Sequence, residues 1–358
     1  MNSPIAPVSS PAAPAHAPAQ PAAAEFESVL GRGAFMVLDQ FGVIDVAGDD
    51  AANFLHGQLT NDVQHLDAAS ARLAGYCSPK GRLLASMLVW RAAEAVRLLV
   101  SKDLAASVQR RLSMFVLRAK AKLADVTDSI ALVGFAGDVR APLSRVFDAL
   151  PDGVHVQVAG AAGSLIRVPD AQGRTRYLWV GPKALVHERL AVLENELARV
   201  SPTVWDWLDI QAGEPRITQG VLEQFVPQMV NFDVIGGVNF RKGCYPGQEI
   251  VARSQYRGTI KRRTAMAHVA VARASADGVA ADDAAVPEVR PGVELFHSDD
   301  RTQPCGMIVN AAAAPQGGFD LLVEIKLAAL ETGTVHVGTV DGPSLAFRPL
   351  PYALPSEA

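Results

Sequence analysis

Cysteine is scarce in this 358-residue chain. Cys77, Cys244 and Cys305 stand far apart and no two are spaced C-x-x-C, which supports neither a disulfide framework nor a zinc knuckle. A reducing compartment, the cytoplasm, is the expected setting. Long apolar runs are missing too. None approaches the ~20 residues that span a bilayer, so no membrane is expected among the partners. No sign of charge dominates: 33 Lys and Arg stand against 37 Asp and Glu, a formal net charge of −4. That argues against a surface that binds nucleic acid as a whole and leaves only local patches. Arginine is absent from residues 1–24, which are almost wholly Ala, Pro and Ser. Lacking also a basic start and an apolar core segment, they read as a disordered tail, not as a secretion or transit signal. What remains is ordinary globular sequence, 49% apolar and 20% charged, long enough for two or three domains.

Order is expected from Glu25. F-M-V-L-D-Q-F-G-V-I-D-V reads as two strands about Asp39-Gln40, a first hairpin. Asp49 or Asp50 caps a helix carrying Phe54 and Leu55. The turn S-P-K-G (Ser78 to Gly81) joins two strands, V-R-L-L-V-S gives a third, and Asp103 to Arg118 forms an amphipathic helix. That helix puts Leu104, Val108, Leu112, Phe115 and Val116 on one side. From Ser129 the order β-α-β-β-β-α is close to a ferredoxin-like unit. Ser201 caps a further helix with Pro202 at its first position, and Gly213 and Pro215 end it. After Arg263, short strands follow at barrel-like spacing, with a flexible Ala/Asp-rich insertion over 273–286. The expectation is an α+β protein. An N-terminal α+β domain spans 25–128 and is completed by 201–262. A ferredoxin-like domain spans 129–200, and a β-barrel spans 263–352.

Against this background Arg241 to Arg263 is a local reversal of charge, with seven Lys or Arg and one acid, Glu249. Cys244 sits inside it. Lys242, and Arg241 beside it, favour a thiolate there. Tyr245-Pro246-Gly247 is turn chemistry: Pro fixes φ at the second position and Gly accepts positive φ at the third. Cys244 reads as a functional thiol in a polar loop, against the alternative of a half-buried structural cysteine. No His lies near it in sequence, and His268 or His297 would have to approach in space. A lone thiolate is not a metal site, so no metal is assigned. The basic run is either a solvated face opening a barrel strand or a patch for a polyanion. Trp205 and Trp207, two apart on one helix, point different ways. One packs in the core, while the other can line a cleft and stack on a flat heterocycle, as can Phe41.

K-G-C-Y-P-G-Q-E-I-V-A-R resembles the signature of the YgfZ family, folate-binding proteins related to the glycine-cleavage T-protein. The segments F-L-H-G-Q-L-T-N-D-V, Y-C-S-P-K-G-R, Q-F-V-P-Q and N-F-D-V-I-G-G-V-N-F, and the ending P-L-P-Y-A-L, also look like the family. The resemblance implies a three-domain ring of the T-protein type with tetrahydrofolate or a derivative in a central channel. It also implies Trp205 and Phe41 as the folate-binding aromatics and Cys244 as the working thiol facing that channel. The signature loop would be Lys242, Gly243, Tyr245, Gly247, Gln248, Glu249, Arg253 and Arg257. It implies support of iron–sulfur cluster assembly or repair and of iron–sulfur-dependent tRNA modification. Partners would be iron–sulfur enzymes or assembly proteins, with tRNA met only indirectly or weakly. The rival reading is a folate-dependent one-carbon transferase. T-proteins carry two adjacent aspartates where this chain has Ala85 and Ser86, and neither can relay a proton as a carboxylate does. Aminomethyl transfer is therefore not expected.

Overall fold

A computed structural model describes residues 21–256, 260–270 and 288–355. The tail through residue 20, Arg257 and all of the Ala/Asp-rich insertion lie outside the described residues. Helix Ala23–Leu30 starts two residues before Glu25, so the last residues of the expected tail are ordered. It is anchored at both ends of its first turn. Glu25 accepts from the Ala22 and Ser201 amides, and Phe26 packs edge-on against Trp207 at 5.2 Å.

The described residues fold into three sheets flanked by few helices, the α+β architecture expected. The two strands about Asp39-Gln40 exist, as Ala34–Val37 and Phe41–Ala47, but they are not a hairpin. Ala34–Val37 pairs with Ile130–Ala136 in a sheet that also holds Gln157–Gly160, Gly163–Ala171, Arg174–Pro182 and Ala198–Arg199. Phe41–Ala47 pairs with Ala95–Ser101 and Lys122–Asp125 in a second sheet with Ala71–Cys77 and Leu83–Ala92. Three residues thus carry the chain from one sheet to the next. The alternation of apolar residues shows that both segments are strands but does not say which partner each takes.

Helix Lys102–Ser113 packs on the second sheet through Leu104, Val108 and Leu112. It ends earlier than its apolar pattern suggests. Leu117 takes φ +47°, and Met114, Phe115 and Leu117 are left exposed. The third sheet runs, edge to edge, Val335–Val337, Glu294–His297, Asp300–Ala313, Phe319–Lys326, Arg262–Val269 and Leu345–Arg348. A bridge from His336 to Ser344, beside the opposite edge strand, curls it toward closure as a barrel.

Helix Thr203–Gln211 lies where the three sheets meet. Its Trp207 indole and the Gln211 amide both donate to one carboxylate oxygen of Asp320, each at 2.9 Å. The other oxygen of Asp320 takes His268 at 2.8 Å and Arg348 at 3.1 Å, both from the third sheet. The Asp320 side chain is only 1% exposed, and four donors offset the cost of burying its charge. The ending P-L-P-Y-A-L closes the same region. Tyr352 Oη donates to the Gly213 carbonyl at 2.8 Å, and its ring occupies the space a Cβ at Gly213 would need.

Candidate functional site

A cavity opens between the second sheet and helix Thr203–Gln211, with about 580 Å3 of non-protein space, part of it open to solvent. Its apolar wall is strand side chains, among them Leu73, Met87, Leu88, Leu99 and Val100. Phe41 and Trp205 both line it, although 164 residues separate them in sequence. Its polar edge is Asp209, Glu214 and Arg216, with Ser86 on the strand opposite.

The two aromatic rings are not bare platforms. The Arg176 guanidinium sits 4.7 Å from the Trp205 ring centroid, and that of Arg216 sits 4.7 Å from Phe41. Gly134 packs against the six-membered part of the Trp205 ring so closely that a Cβ there would come within 2.4 Å of it. Trp205 is thus locked in place and only 3% exposed. Trp207 points to Asp320, so the expected division between the two tryptophans holds, with both buried.

The charges form a chain. Arg176, fully buried, donates to Asp209 at 2.8 Å and lies 3.6 Å from Glu214. Arg216 donates to Asp206 at 2.6 Å and lies 3.8 Å from Asp209. Burial pushes Asp209 up to about 7 despite its arginine neighbours, and burial likewise raises Glu214. Asp209, Glu214 and Arg216 still keep 16–20% of their side-chain surface open. Arg216 Nε and Nη1 and Arg176 Nη2 are buried with no hydrogen-bond partner among the described residues. The two on Arg216 stand at the cavity wall, where donors without a hydrogen bond are costly unless something else receives them.

The signature forms a second place, at the surface. Gln248 N donates to the Tyr245 carbonyl at 3.2 Å, closing the turn over Pro246 and Gly247. Gly247 takes φ +79°, as the turn requires, and a Cβ there would strike the Ser78 carbonyl at 2.4 Å. Only glycine lets this turn rest on S-P-K-G. The residues after it are not loop, as the polar composition suggests, but the helix Gln248–Tyr256. Its first residues Gln248 and Glu249, and Arg253 further along, lie toward the surface. Gln228, from Q-F-V-P-Q, donates to the Val251 carbonyl at 2.8 Å and holds that helix from beneath.

F-L-H-G-Q-L-T-N-D-V supplies the other support. Thr60 and Asn61 donate to the Gly237 and Gly236 carbonyls at 2.6 and 2.7 Å. Lys242 Nζ donates to the carbonyls of His56, Leu59 and Gly243 at 2.5, 3.1 and 3.2 Å, and sits 4.9 Å from the Tyr245 ring centroid. Burial pulls Lys242 down to about 8. The three carbonyls accept all three N–H bonds of an ammonium, however, so the cradle is built for the charged form. Cys244 is exposed. It does not line the cavity, contrary to the expectation that it faces the folate channel. Cys77 and Cys305 are buried, and burial pushes their thiols up, Cys77 to about 12.

Neither histidine foreseen as a base approaches the thiol. His268 is committed to Asp320 and His297 to the Thr332 carbonyl. His56 lies beside the residue before Cys244, its Nε2 3.5 Å from where a Cβ at Gly243 would stand. It stood inside a quoted family segment, but 188 positions from Cys244 no spacing rule could select it. The end of the basic run is structural. Arg262 pairs twice with Glu324, and Arg263 twice with Asp233. Among the described residues no three His, Cys, Asp or Glu are grouped to hold a metal ion, and no helix is long and apolar enough to cross a membrane.

Sheet order, the cavity above helix Thr203–Gln211 and the curled C-terminal sheet define the fold of the aminomethyltransferase class. The chain superposes on the glycine cleavage system aminomethyltransferase T from Bartonella henselae with a TM-score of 0.70, covering 92% of this chain and 88% of that one at 16% identity. The family model described as the GCVT N-terminal domain matches residues 11–150. Within that class the curated relatives are more specific. The tRNA-modifying protein YgfZ of Klebsiella pneumoniae is 32% identical over 321 residues, 89% of this chain and 93% of the relative. That of Edwardsiella ictaluri is 30% identical over 320 residues, 89% and 92% of the two chains. The chain belongs to the YgfZ family.

Proposed function

We propose that this protein binds a reduced folate, tetrahydrofolate or a derivative, in the cavity above helix Thr203–Gln211. It would support iron–sulfur cluster assembly or repair and the tRNA modification that depends on it, with Cys244 as the working thiol. The observation that carries the reading is the cavity's makeup. A pterin is a flat ring edged by N–H donors and a carbonyl acceptor. The strand wall supplies apolar contact, Asp209 and Glu214 can accept from ring N–H groups, and the unpartnered Arg216 donors can bind a carbonyl. Phe41 and Trp205 shape the wall and fix the two guanidiniums by cation–π contact, and do not stack openly on the ligand. When bound, a reduced folate would supply one-carbon or reducing chemistry.

Ser86, one of the two positions where the resemblance to T-proteins implies an aspartate, lines the cavity, and its Oγ accepts from the Ile217 amide at 2.9 Å. A hydroxyl so engaged does not substitute for a carboxylate, which supports a maturation role over aminomethyl transfer. With Cys77 and Cys305 buried, Cys244 works as a single thiol. Any disulfide it makes must be resolved by a partner's thiol or a small one. The relatives' name supplies the tRNA setting. The partners proposed are iron–sulfur enzymes or assembly proteins in the cytoplasm, with tRNA contacted indirectly or weakly.

The test is calorimetric titration of tetrahydrofolate into wild type and Glu214→Gln. Loss of one charged hydrogen bond should weaken binding about tenfold. An unbound wild type, or equal affinities, would sink the folate reading. Trp205→Ala is a poorer probe because the ring also holds up Gly134 and Arg176.

A further inference from the structure

Residues 104–124 carry Arg110, Arg111, Arg118, Lys120 and Lys122 and no acid at all. Within them, helix Lys102–Ser113 passes to the edge strand Lys122–Asp125 through a turn with its apolar side chains in solvent. Met114 is 63% exposed, Phe115 46% and Leu117 88%. Single exposed apolar residues are ordinary, but three within four positions make a patch. The turn is built, not loose. The amides of Met114, Phe115 and Val116 donate to the Arg111, Leu112 and Ser113 carbonyls at 3.2, 3.0 and 3.3 Å, and that of Ala119 donates to the Val116 carbonyl at 2.8 Å. Just beyond, the Lys120 amide donates to Asp50 Oδ2 at 2.7 Å and the Asp50 amide to the Lys120 carbonyl at 3.1 Å. Leu117 is held at φ +47°, a backbone conformation that is costly for leucine, and gains no burial there.

We propose that this turn is a docking knob for a partner protein that presents an apolar cleft rimmed by Asp and Glu. The apolar half sets the shape. Leu117 stands out from the surface, so whatever covers it must be concave, and burying three large side chains supplies the driving force. The charged half sets the sign. Arg110 lies one helical turn before Met114 on the same face, and Arg118 follows Leu117 directly. Both are exposed, as is Lys122, and none of the three forms an ion pair among the described residues. Only Lys120 has an acid, Asp49 at 3.4 Å, and that pair is itself largely exposed. Unmatched cations around an apolar centre are complementary to an acidic rim and steer it in. A nucleic acid would take the cations but leave Met114 and Leu117 uncovered, since neither offers a donor and only Phe115 can stack on a base. A second copy of this chain would set like charges against each other. A bilayer takes the long apolar face of a helix, which one turn does not provide. The knob does not line the cavity, so the inference stands apart from the folate reading.

The experiment replaces Phe115 of the full-length protein by the photo-crosslinker p-benzoylphenylalanine, in cells that carry it as their only copy. Irradiation is followed by mass analysis of the cross-linked peptide. The expected adduct is to another protein, at a segment that is apolar and bears Asp or Glu. Its yield should fall about tenfold with Leu117→Ser and with Arg118→Glu, which remove the apolar and the charged half in turn. Reversing the partner's acids to Lys should restore the adduct in Arg118→Glu and weaken it in the wild type. Both variants touch only exposed side chains, so their urea midpoints and tetrahydrofolate titrations should match those of the wild type. No adduct, or an adduct to RNA, to lipid, to a second copy or to a segment without acids, would overturn the inference. So would a yield that Leu117→Ser and Arg118→Glu leave unchanged.

Discussion

The cavity and the signature loop handle polar chemistry in opposite ways. The cavity gathers residues from widely separated strands and one helix, and burial fixes each side chain. Arg176 has no exposed surface, and its charge is matched by Asp209 and Glu214. The loop is one contiguous run, and backbone geometry fixes it: a type II turn, a glycine against a carbonyl, a lysine threaded into three carbonyls. Its thiol, Cys244, stays exposed. A buried site tunes its groups by desolvation, whereas a surface site must tune them by hydrogen bonds and neighbouring charge.

Four measurements would break or sharpen that contrast. The largest effect belongs to Asp209→Ala, which removes the acid that Arg176 hydrogen-bonds and leaves this buried guanidinium only Glu214 at 3.6 Å, and it should cost about 3 kcal/mol in urea unfolding. A loss below about 1 kcal/mol would mean that the cavity cluster is solvated like the loop. Next come pH dependences of opposite sign. Asp209, raised to about 7, contributes stability that is present below its unfolded value of 3.8 and is lost as pH rises through about 7. Asp62, lowered to about 2, contributes stability that is present above 3.8 and is lost as pH falls through about 2. Urea midpoints across pH, with Asp209→Asn and Asp62→Asn as references, should show the two slopes; equal slopes would erase the distinction.

Third, Cys244→Ser should change unfolding free energy by no more than about 0.5 kcal/mol while abolishing complementation of an iron–sulfur-dependent tRNA modification. Full complementation would remove the thiol from the function. The smallest effect is expected from Arg253→Ala, an exposed charge: under about 0.5 kcal/mol in stability. It should leave the salt dependence of any tRNA binding unchanged to within about one charge. A steep change would turn the helix Gln248–Tyr256 into a nucleic-acid contact.

Contiguous features were legible in the sequence. The turn at Pro246-Gly247, the S-P-K-G hairpin, the helix ended by Gly213 and five of the six strands of the C-terminal sheet follow from local chemistry, while the edge strand Leu345–Arg348 does not. Phe41 and Trp205 were named for the cavity because the resemblance pointed to them, and both line it. Asp209, Glu214 and Arg216 were missed, although they sit in the same segment as Trp205. On a helix and just beyond it they look like ordinary surface charges, and only the sheet packed over them makes them interior. Arg262 and Arg263 misled in the other direction: a run of like charge says nothing about partners supplied by Asp233 and Glu324 on other elements.

The shared carboxylate of Asp320 bears on how this protein can be cut or recombined. Its donors are divided between the helix that floors the cavity and the sheet that ends the chain. A truncation before residue 300 would therefore strip the Trp207 and Gln211 side chains of their acceptor inside the remaining core. The C-terminal sheet is thus no detachable module. Grafting it from a relative should succeed only when the acceptor travels with it, and tetrahydrofolate affinity in such a chimera would report whether the helix had kept its seat.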